Sequence, residues 1–297
     1  MDQKALNNLE KKAAEYLKFE TGKKITWCSN CGNYAIHNAL TRAFVLEGIP
    51  RKDILMCFDI GCSGNGSDKI ETYTVHGLHG RVIPLAAGCA LANPGIKVIA
   101  EAGDGATFSE GVNHLVHAVR NDYPMLFIHH NNENYGLTTG QASALTPCGA
   151  KMNGTPGGVV VEPINSMQFV LGLNPSFVAR CFSGEVDHMT EVFQAALRHR
   201  GFAYVEVLQA CPTYNRLTPD AWYAERVRFV EKLKGYDRGD IWAARKLVDD
   251  VEKEIYLGLI YENKARVDFL SLQKSREGAK TTLVEEVRHY PVGGLVA

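Results

Sequence analysis

From residue 32 to residue 208 short apolar runs alternate with stretches of helical length, and nothing else in the chain restricts its fold as strongly. The runs at 54–60, 97–102, 125–129, 177–180 and 203–208 are too short for helices and too continuously apolar for strands with one face in water. They read as strands buried on both faces. Residues 33–47, 80–92, 109–120, 166–173 and 189–198 carry helical patterns between them. Gly48 and Pro50 stop the first helix, and Asn93-Pro94-Gly95 ends the second. Strands alternating with helices predict an α/β fold, a doubly wound and mostly parallel sheet with helices on both faces. Beyond Pro212 the pattern changes: residues 221–254 read as charged and helical, the apolar run IYLGLIY follows, and the last thirty or so residues read as a tail or partner-binding arm.

A length of 297 residues at 45% hydrophobic content allows a large core. Lysine and arginine number 32 against 33 aspartates and glutamates, a net charge of -1 that provides no field for nucleic acid or for an acidic membrane. A small-molecule substrate is the expectation. The opening MDQKALNNLEKKAAEYLKFE is charged throughout and reads as neither signal peptide nor anchor. No stretch reaches the ~20 apolar residues a membrane helix needs, so a cytoplasmic protein is expected. In that compartment the eight cysteines read as buried thiols, metal ligands or redox groups rather than a disulfide framework.

Three polar loops follow three of the predicted strands: GCSGNG, GDGAT and HNNENYG. In an open parallel sheet, ligands bind at that edge, where helix N-termini offer free amides to phosphate. Gly103-Asp104-Gly105 sets a carboxylate between two glycines, and twenty-five residues separate Gly105 from Asn131, enough for a helix and a parallel strand. A carboxylate, an amide oxygen and a carbonyl suit Mg²⁺, which completes its shell with phosphate and water. Asp104, as a loop carboxylate, is expected to add little to core packing. Each motif alone is most often a turn; together, after consecutive strands, they resemble the signature of thiamine-diphosphate enzymes. That resemblance implies that Asp104, the Asn132 side chain and the Asn134 carbonyl hold Mg²⁺ on the diphosphate.

Cys28 and Cys31 form a CxxC that fits a zinc knuckle, a redox pair or half of a cluster site. Cys62 and Cys211 each follow a predicted strand and so point to the edge that carries the loops. Ligands drawn from such distant places suit an electron carrier better than compact zinc, which has no redox chemistry. Cys57, Cys89, Cys148 and Cys181 read as core or surface residues.

Taken together, WCSNCGN, DIGCSGNG, HGLHGRVIPLAAGCALANP and the run from GDGATFSEG to SALTP resemble the β subunits of the 2-oxoacid:ferredoxin oxidoreductases, over residues 25–261. The resemblance implies an oxidoreductase that decarboxylates a 2-oxoacid at thiamine diphosphate, passes electrons through a 4Fe-4S cluster to ferredoxin and gives the acyl group to coenzyme A. It implies that Cys28, Cys31, Cys62 and Cys211 ligate the cluster. Ile60, Gly61, Cys62, Ser63, Gly105, Ala106, Gly136 and Leu137 would line the thiamine cofactor, with His79 as the catalytic histidine beside it; His76 reads as structural or functional with equal weight.

The glutamate that activates the aminopyrimidine is not identifiable and would come from an α subunit, leaving this chain inactive alone. Where many members carry a basic residue after Cys62, this sequence has GNG with the neutral Asn65. A distal substrate carboxylate would then need Arg81, Lys69 or the partner. The substrate is read as 2-oxoglutarate, with pyruvate or a branched-chain oxoacid as alternatives; a non-oxidative thiamine decarboxylase and a zinc-binding interaction module are the competing functions. The expected organisation is an extension over 1–24, a domain for thiamine diphosphate, Mg²⁺ and the cluster over 25–216, and a helical, partner-binding segment over 217–297.

Overall fold

The computed structural model describes residues 3–249, 253–274 and 282–288. After helix α1 (Gln3–Leu17) comes α2 (Asn33–Glu47), whose Ile36, Leu40, Ala43 and Phe44 recur at three- and four-residue spacing and give one buried stripe. Gly48 terminates it at φ 65°, and its N–H reaches the Phe44 and Val45 carbonyls. That left-handed conformation is open to glycine without a Cβ penalty.

Eight strands form one sheet. They are β1 (Ile54–Phe58), β2 (Tyr73–His76), β3 (Lys97–Gly103), β4 (Leu126–Asn131), β5 (Phe177–Phe182), β6 (Ala203–Leu208), β7 (Val227–Phe229) and β8 (Ile255–Glu262), in the spatial order β2-β1-β3-β4-β6-β5-β8-β7. The first six strands are mutually parallel, β8 pairs antiparallel with β5, and β7 runs parallel to β8. Every residue of β4, β5 and β6 is buried, which is why they show no apolar-polar alternation; their few polar side chains, among them His129, Arg180 and Glu206, are buried with partners.

Helices cover both faces. On one, α3 (Val82–Ala92), α4 (Val112–Asn121), α5 (Ser166–Gly172) and α8 (Ile241–Leu247) pack Val82, Ala86, Leu115, Val119, Val170 and Ala244 into a common core. The small residues of α3 let it lie close to the strands. On the other face, α2 and α6 (Val186–Arg198) bury Leu40, Phe44, Met189 and Phe193, side chains worth about 1.5–3 kcal/mol each when taken from water. None of the described helices is long and apolar enough to cross a membrane.

Three expectations are corrected. β2 was not foreseen; it is a four-residue edge strand with a mostly exposed burial pattern, so it lacks the apolar signal of its neighbours. Residues 221–249 and 253–254 are not a charged helical stretch: α7 (Asp220–Arg226), β7 and α8 break them up, with Gly235 and Gly239 between. The helix expected over 109–120 starts only at Val112, after a π-turn spanning Gly105–Glu110. The IYLGLIY run is β8, added to the same sheet. Much of the expected tail lies outside the described residues; within it, α9 (Leu283–Val287) starts with a capping box between Thr282 and Glu285.

Candidate functional site

Because β1, β3, β4 and β6 are parallel neighbours, their carboxyl ends reach one edge of the sheet. The loop after β1 delivers Ile60, Gly61, Cys62 and Ser63 to a pocket there; the π-turn after β3 delivers Gly105 and Ala106, and the turn after β4 delivers Asn132, Asn134, Gly136 and Leu137. His79 closes one side. The enclosed space is only about 70 Å³, well short of the ~300–1,000 Å³ of a complete ligand pocket. It fits one end of a larger molecule.

Two glycines permit this closeness. A Cβ on Gly105 would lie 2.3 Å from the Tyr135 ring, and one on Gly136 would lie 3.1 Å from Cys62 Sγ. Tyr135 in turn stacks on His79 with ring centroids 5.9 Å apart, and His79 Nδ1 stands 2.8 Å from Glu110 Oε2, off the line of a good hydrogen bond.

Asp104 is not the loop carboxylate that was expected. It is 0% exposed and lies between Gly103 and Gly105, which line the pocket. Ser143 donates to its Oδ2, Oδ1 has no hydrogen-bond partner, and burial pushes the carboxyl up to about 7. Asn132 Oδ1 accepts the Asn134 N–H at 3.2 Å, and the Asn134 carbonyl accepts the Gly136 N–H at 3.1 Å. Each of these oxygens keeps a lone pair. An orphaned carboxylate oxygen beside two such acceptors fits a hard cation that takes few protein ligands.

At one end of the pocket the four sequence-selected cysteines gather. Burial, then the thiolates of Cys31, Cys211 and Cys28, then Asp104, push the Cys62 thiol up to about 12, so Cys62 lies within electrostatic reach of the other three. The Trp27 indole N–H donates to the Cys62 carbonyl at 2.7 Å and ties the CxxC segment to the β1 loop. All four are free thiols. Among the described residues no three histidine, cysteine or acidic side chains stand close enough to share one metal ion. Four thiols that each bind a separate iron of a cubane are necessarily spaced wider than the ligands of a single ion, so the donor set fits a cluster better than zinc. Cys57 and Cys181 are buried in the two cores, and Cys148 is exposed.

Several residues of the site were not foreseen. Asp59, 0% exposed, accepts from Ile60 N (2.8 Å) and Gly80 N (2.9 Å) at Oδ1 and from Val82 N (3.2 Å) at Oδ2. It thereby clamps the turn carrying His79 to the β1 loop. Its signal was a carboxylate directly after a buried strand. His76 donates through Nε2 to the Asp59 carbonyl at 3.1 Å and does not line the pocket. Lys69 pairs with Asp68 at 2.9 Å, and Arg81 donates to the Gly80 and Glu110 carbonyls. Neither reaches the pocket, and no lysine or arginine is among its lining residues.

Residues 59–207 match the family model described as thiamine pyrophosphate enzyme, C-terminal TPP binding domain, and residues 211–277 match the model for the C-terminal part of the pyruvate ferredoxin oxidoreductase beta chain. Over 267 residues, 86% of both chains, the sequence is 33% identical to 2-oxoacid:ferredoxin oxidoreductase 2, subunit beta, of Aeropyrum pernix. The chain belongs to the 2-oxoacid:ferredoxin oxidoreductase β subunits.

This β subunit is also 38% identical over 203 residues to 2-oxoglutarate oxidoreductase subunit KorB of Mycobacterium tuberculosis, covering 68% of this chain and 54% of that one. A chain of 2-oxoglutarate:ferredoxin oxidoreductase from Magnetococcus marinus, solved with 2-oxoglutarate, coenzyme A and succinyl-CoA bound, matches it with a TM-score of 0.85 at 29% identity, covering 95% of this chain and 94% of that one. The β subunit is thus the thiamine-binding part of an oxidoreductase that also has an α subunit.

Proposed function

We propose that this β subunit holds thiamine diphosphate through Mg²⁺, carries a 4Fe-4S cluster and, together with its α subunit, turns 2-oxoglutarate into its acyl-CoA in the cytoplasm, with ferredoxin as electron acceptor. The observation that supports this most is Cys62, which is both a wall of the cofactor pocket and a neighbour of three other thiols. When bound, the thiamine cofactor accepts the electron pair left by departing CO₂, and the cluster relays electrons singly.

The remaining work falls to the chain. Asp104 Oδ1, the Asn132 side chain and the Asn134 carbonyl would hold Mg²⁺; Gly105 and Gly136 would let backbone approach the cofactor without a Cβ; Ile60 and Leu137 would give it an apolar wall, able to exclude water once the partner covers them. His79, braced by Tyr135 and facing Glu110, would hold a proton beside the substrate. Cys28, Cys31, Cys62 and Cys211 would hold the cluster. Residues 25–216 would form the cofactor domain, and 217–297 would serve the partner.

The choice of 2-oxoglutarate is supported by the KorB relatives and by the ligands of the Magnetococcus enzyme. With no cation in this wall of the pocket, its distal carboxylate would be met by the α subunit. The same apolar wall favours pyruvate or a branched-chain oxoacid as the second reading. Turnover of these three substrate classes by the co-expressed complex, with coenzyme A and ferredoxin, decides between them. Preference for 2-oxoglutarate is the expected result, and no turnover of any 2-oxoacid by an iron-loaded complex would refute the reading.

A further inference from the structure

The four thiols at the pocket are not equivalent. Gln209, the residue after β6, is 1% exposed, and its Nε2 lies 3.4 Å from Cys31 Sγ and 3.0 Å from Asn33 Oδ1. Asn33 Oδ1 also faces His130 Nδ1 at 3.0 Å, and His130 Nε2 lies 3.2 Å from Glu101 Oε2. An amide oxygen only accepts, and in the structure Gln209 turns its NH₂ group toward Asn33 Oδ1, leaving Gln209 Oε1 and Asn33 Nδ2 without hydrogen-bond partners. One proton of that group serves Asn33, and the other points to the sulfur. The side chain cannot approach this closely past any residue but glycine at position 32, where a Cβ would fall 2.6 Å from Gln209 Cγ. Among the described residues no side-chain donor reaches the sulfur of Cys28, Cys62 or Cys211.

We propose that Gln209 is a positioning residue for electron transfer, its side-chain amide donating to Cys31 Sγ so that the iron-sulfur site is easier to reduce. The proposal rests on the four-cysteine reading given above. An N–H dipole aimed at a thiolate favours whichever state puts more negative charge on sulfur. Reduction adds one electron to the cluster, so losing the donor lowers the potential, as hydrogen bonds to cluster sulfurs are known to govern it. The bond to Asn33, itself in contact with His130 Nδ1, restrains the amide, and a fixed dipole acts more strongly than one free to turn toward water.

The test uses the co-expressed complex carrying Gln209→Met, which keeps the length and removes the donor, or Gln209→Glu, which keeps the shape and turns the donor into an acceptor. Iron content is measured first, then the midpoint potential of the cluster by an EPR-monitored redox titration. The expected result is wild-type iron in both variants, with the potential lowered in Met and lowered further in Glu. A packing role alone would leave the Met variant at the wild-type potential. Wild-type potentials in both iron-replete variants would overturn the proposal, and so would loss of iron from both, which would make Gln209 a support for the cluster and not a modulator of it. Wild-type complex without iron would overturn the four-cysteine reading and this assignment together, and the iron assay tells that case apart.

Discussion

Asp104 shows how much of the site is decided at single side chains. A carboxylate fully out of water with one orphaned oxygen is unfavourable unless a cation meets it. Asp104→Ala is therefore expected to lower Mg²⁺-dependent affinity for thiamine diphosphate by roughly 10–100-fold, the worth of a hydrogen bond or contact to a charged group. The isosteric Asp104→Asn should melt no lower than the wild type without metal, because it removes the buried charge and keeps the shape. Calorimetry that finds unchanged cofactor affinity in folded Asp104→Ala protein would sink the assignment. His129 makes the opposite case, for stability. It is fully buried beside Tyr204 and 3.8 Å from Glu206, and burial pulls its pKa from 6.5 down to about 4 against the pull of Glu206 in the other direction, with His130 and Arg180 adding to the fall. Between those two values the unfolded chain binds a proton that the folded chain does not. Stability is therefore intact above pH ~6.5 and declines as the pH falls toward ~4, by on the order of 3 kcal/mol. In His129→Gln, calorimetric melts from pH 7 to 4.5 should show a shallower decline; an unchanged slope would remove His129 as its source.

At the scale of elements, the π-turn after β3 is where local conformation and site depend on each other most. Gly105→Ala would drive a Cβ into Tyr135, whose ring is held against His79, and overpacking of this kind costs about 1–3 kcal/mol. A lower melting temperature together with weaker cofactor binding is expected, and a variant with wild-type values in both would show that the turn tolerates a side chain. The strand ends make a second prediction. Cys211→Ala should reduce the cluster to a three-iron form or remove it and abolish ferredoxin-linked turnover, whereas Cys148→Ala, exposed and far from the other thiols in its contacts, should do neither. Equal iron and equal activity in the two would end the four-cysteine assignment. The elements that could be read from sequence were those with a signal of their own. The helix at Asn33–Glu47 carries its stripe and its glycine stop, and the central strands carry runs such as MLFI. YTVH in β2 has no such run, and IYLGLIY does not reveal that its partner is β5, eighty residues earlier in the chain, in antiparallel register. The site divides in the same way. Glycines and asparagines mark loops locally, so the pocket walls were legible, but Asp59, Glu110 and Gln209 act through contacts with residues 21 to 178 positions away, which no local pattern encodes.

The whole molecule presents an unfinished site. Around the small pocket Ile60, Leu137 and Leu78 are exposed at 37%, 47% and 76%, an apolar rim that water meets unfavourably and that a partner chain would cover. The β subunit purified alone is expected to bind thiamine diphosphate weakly and to oxidise no 2-oxoacid, and adding the α subunit should restore both; full turnover by the lone chain would refute this.

The parallel arrangement of β1, β3, β4 and β6 also bears on how such a protein is made. Cys28 and Cys211 lie 183 positions apart, and two of the four thiols follow β1 and β6, strands that share one sheet edge only once β3 and β4 have paired between them. In a zinc finger the ligands are near neighbours along the chain, and the ion organises the folding. Here a newly made chain offers iron no comparable grip. On the four-cysteine reading the polypeptide would complete its long-range strand pairing first, a slow step for contacts of this separation, and the inorganic core would then be loaded into a finished frame. Cys28, the exposed member of the set, marks the side from which a delivery protein would hand it over.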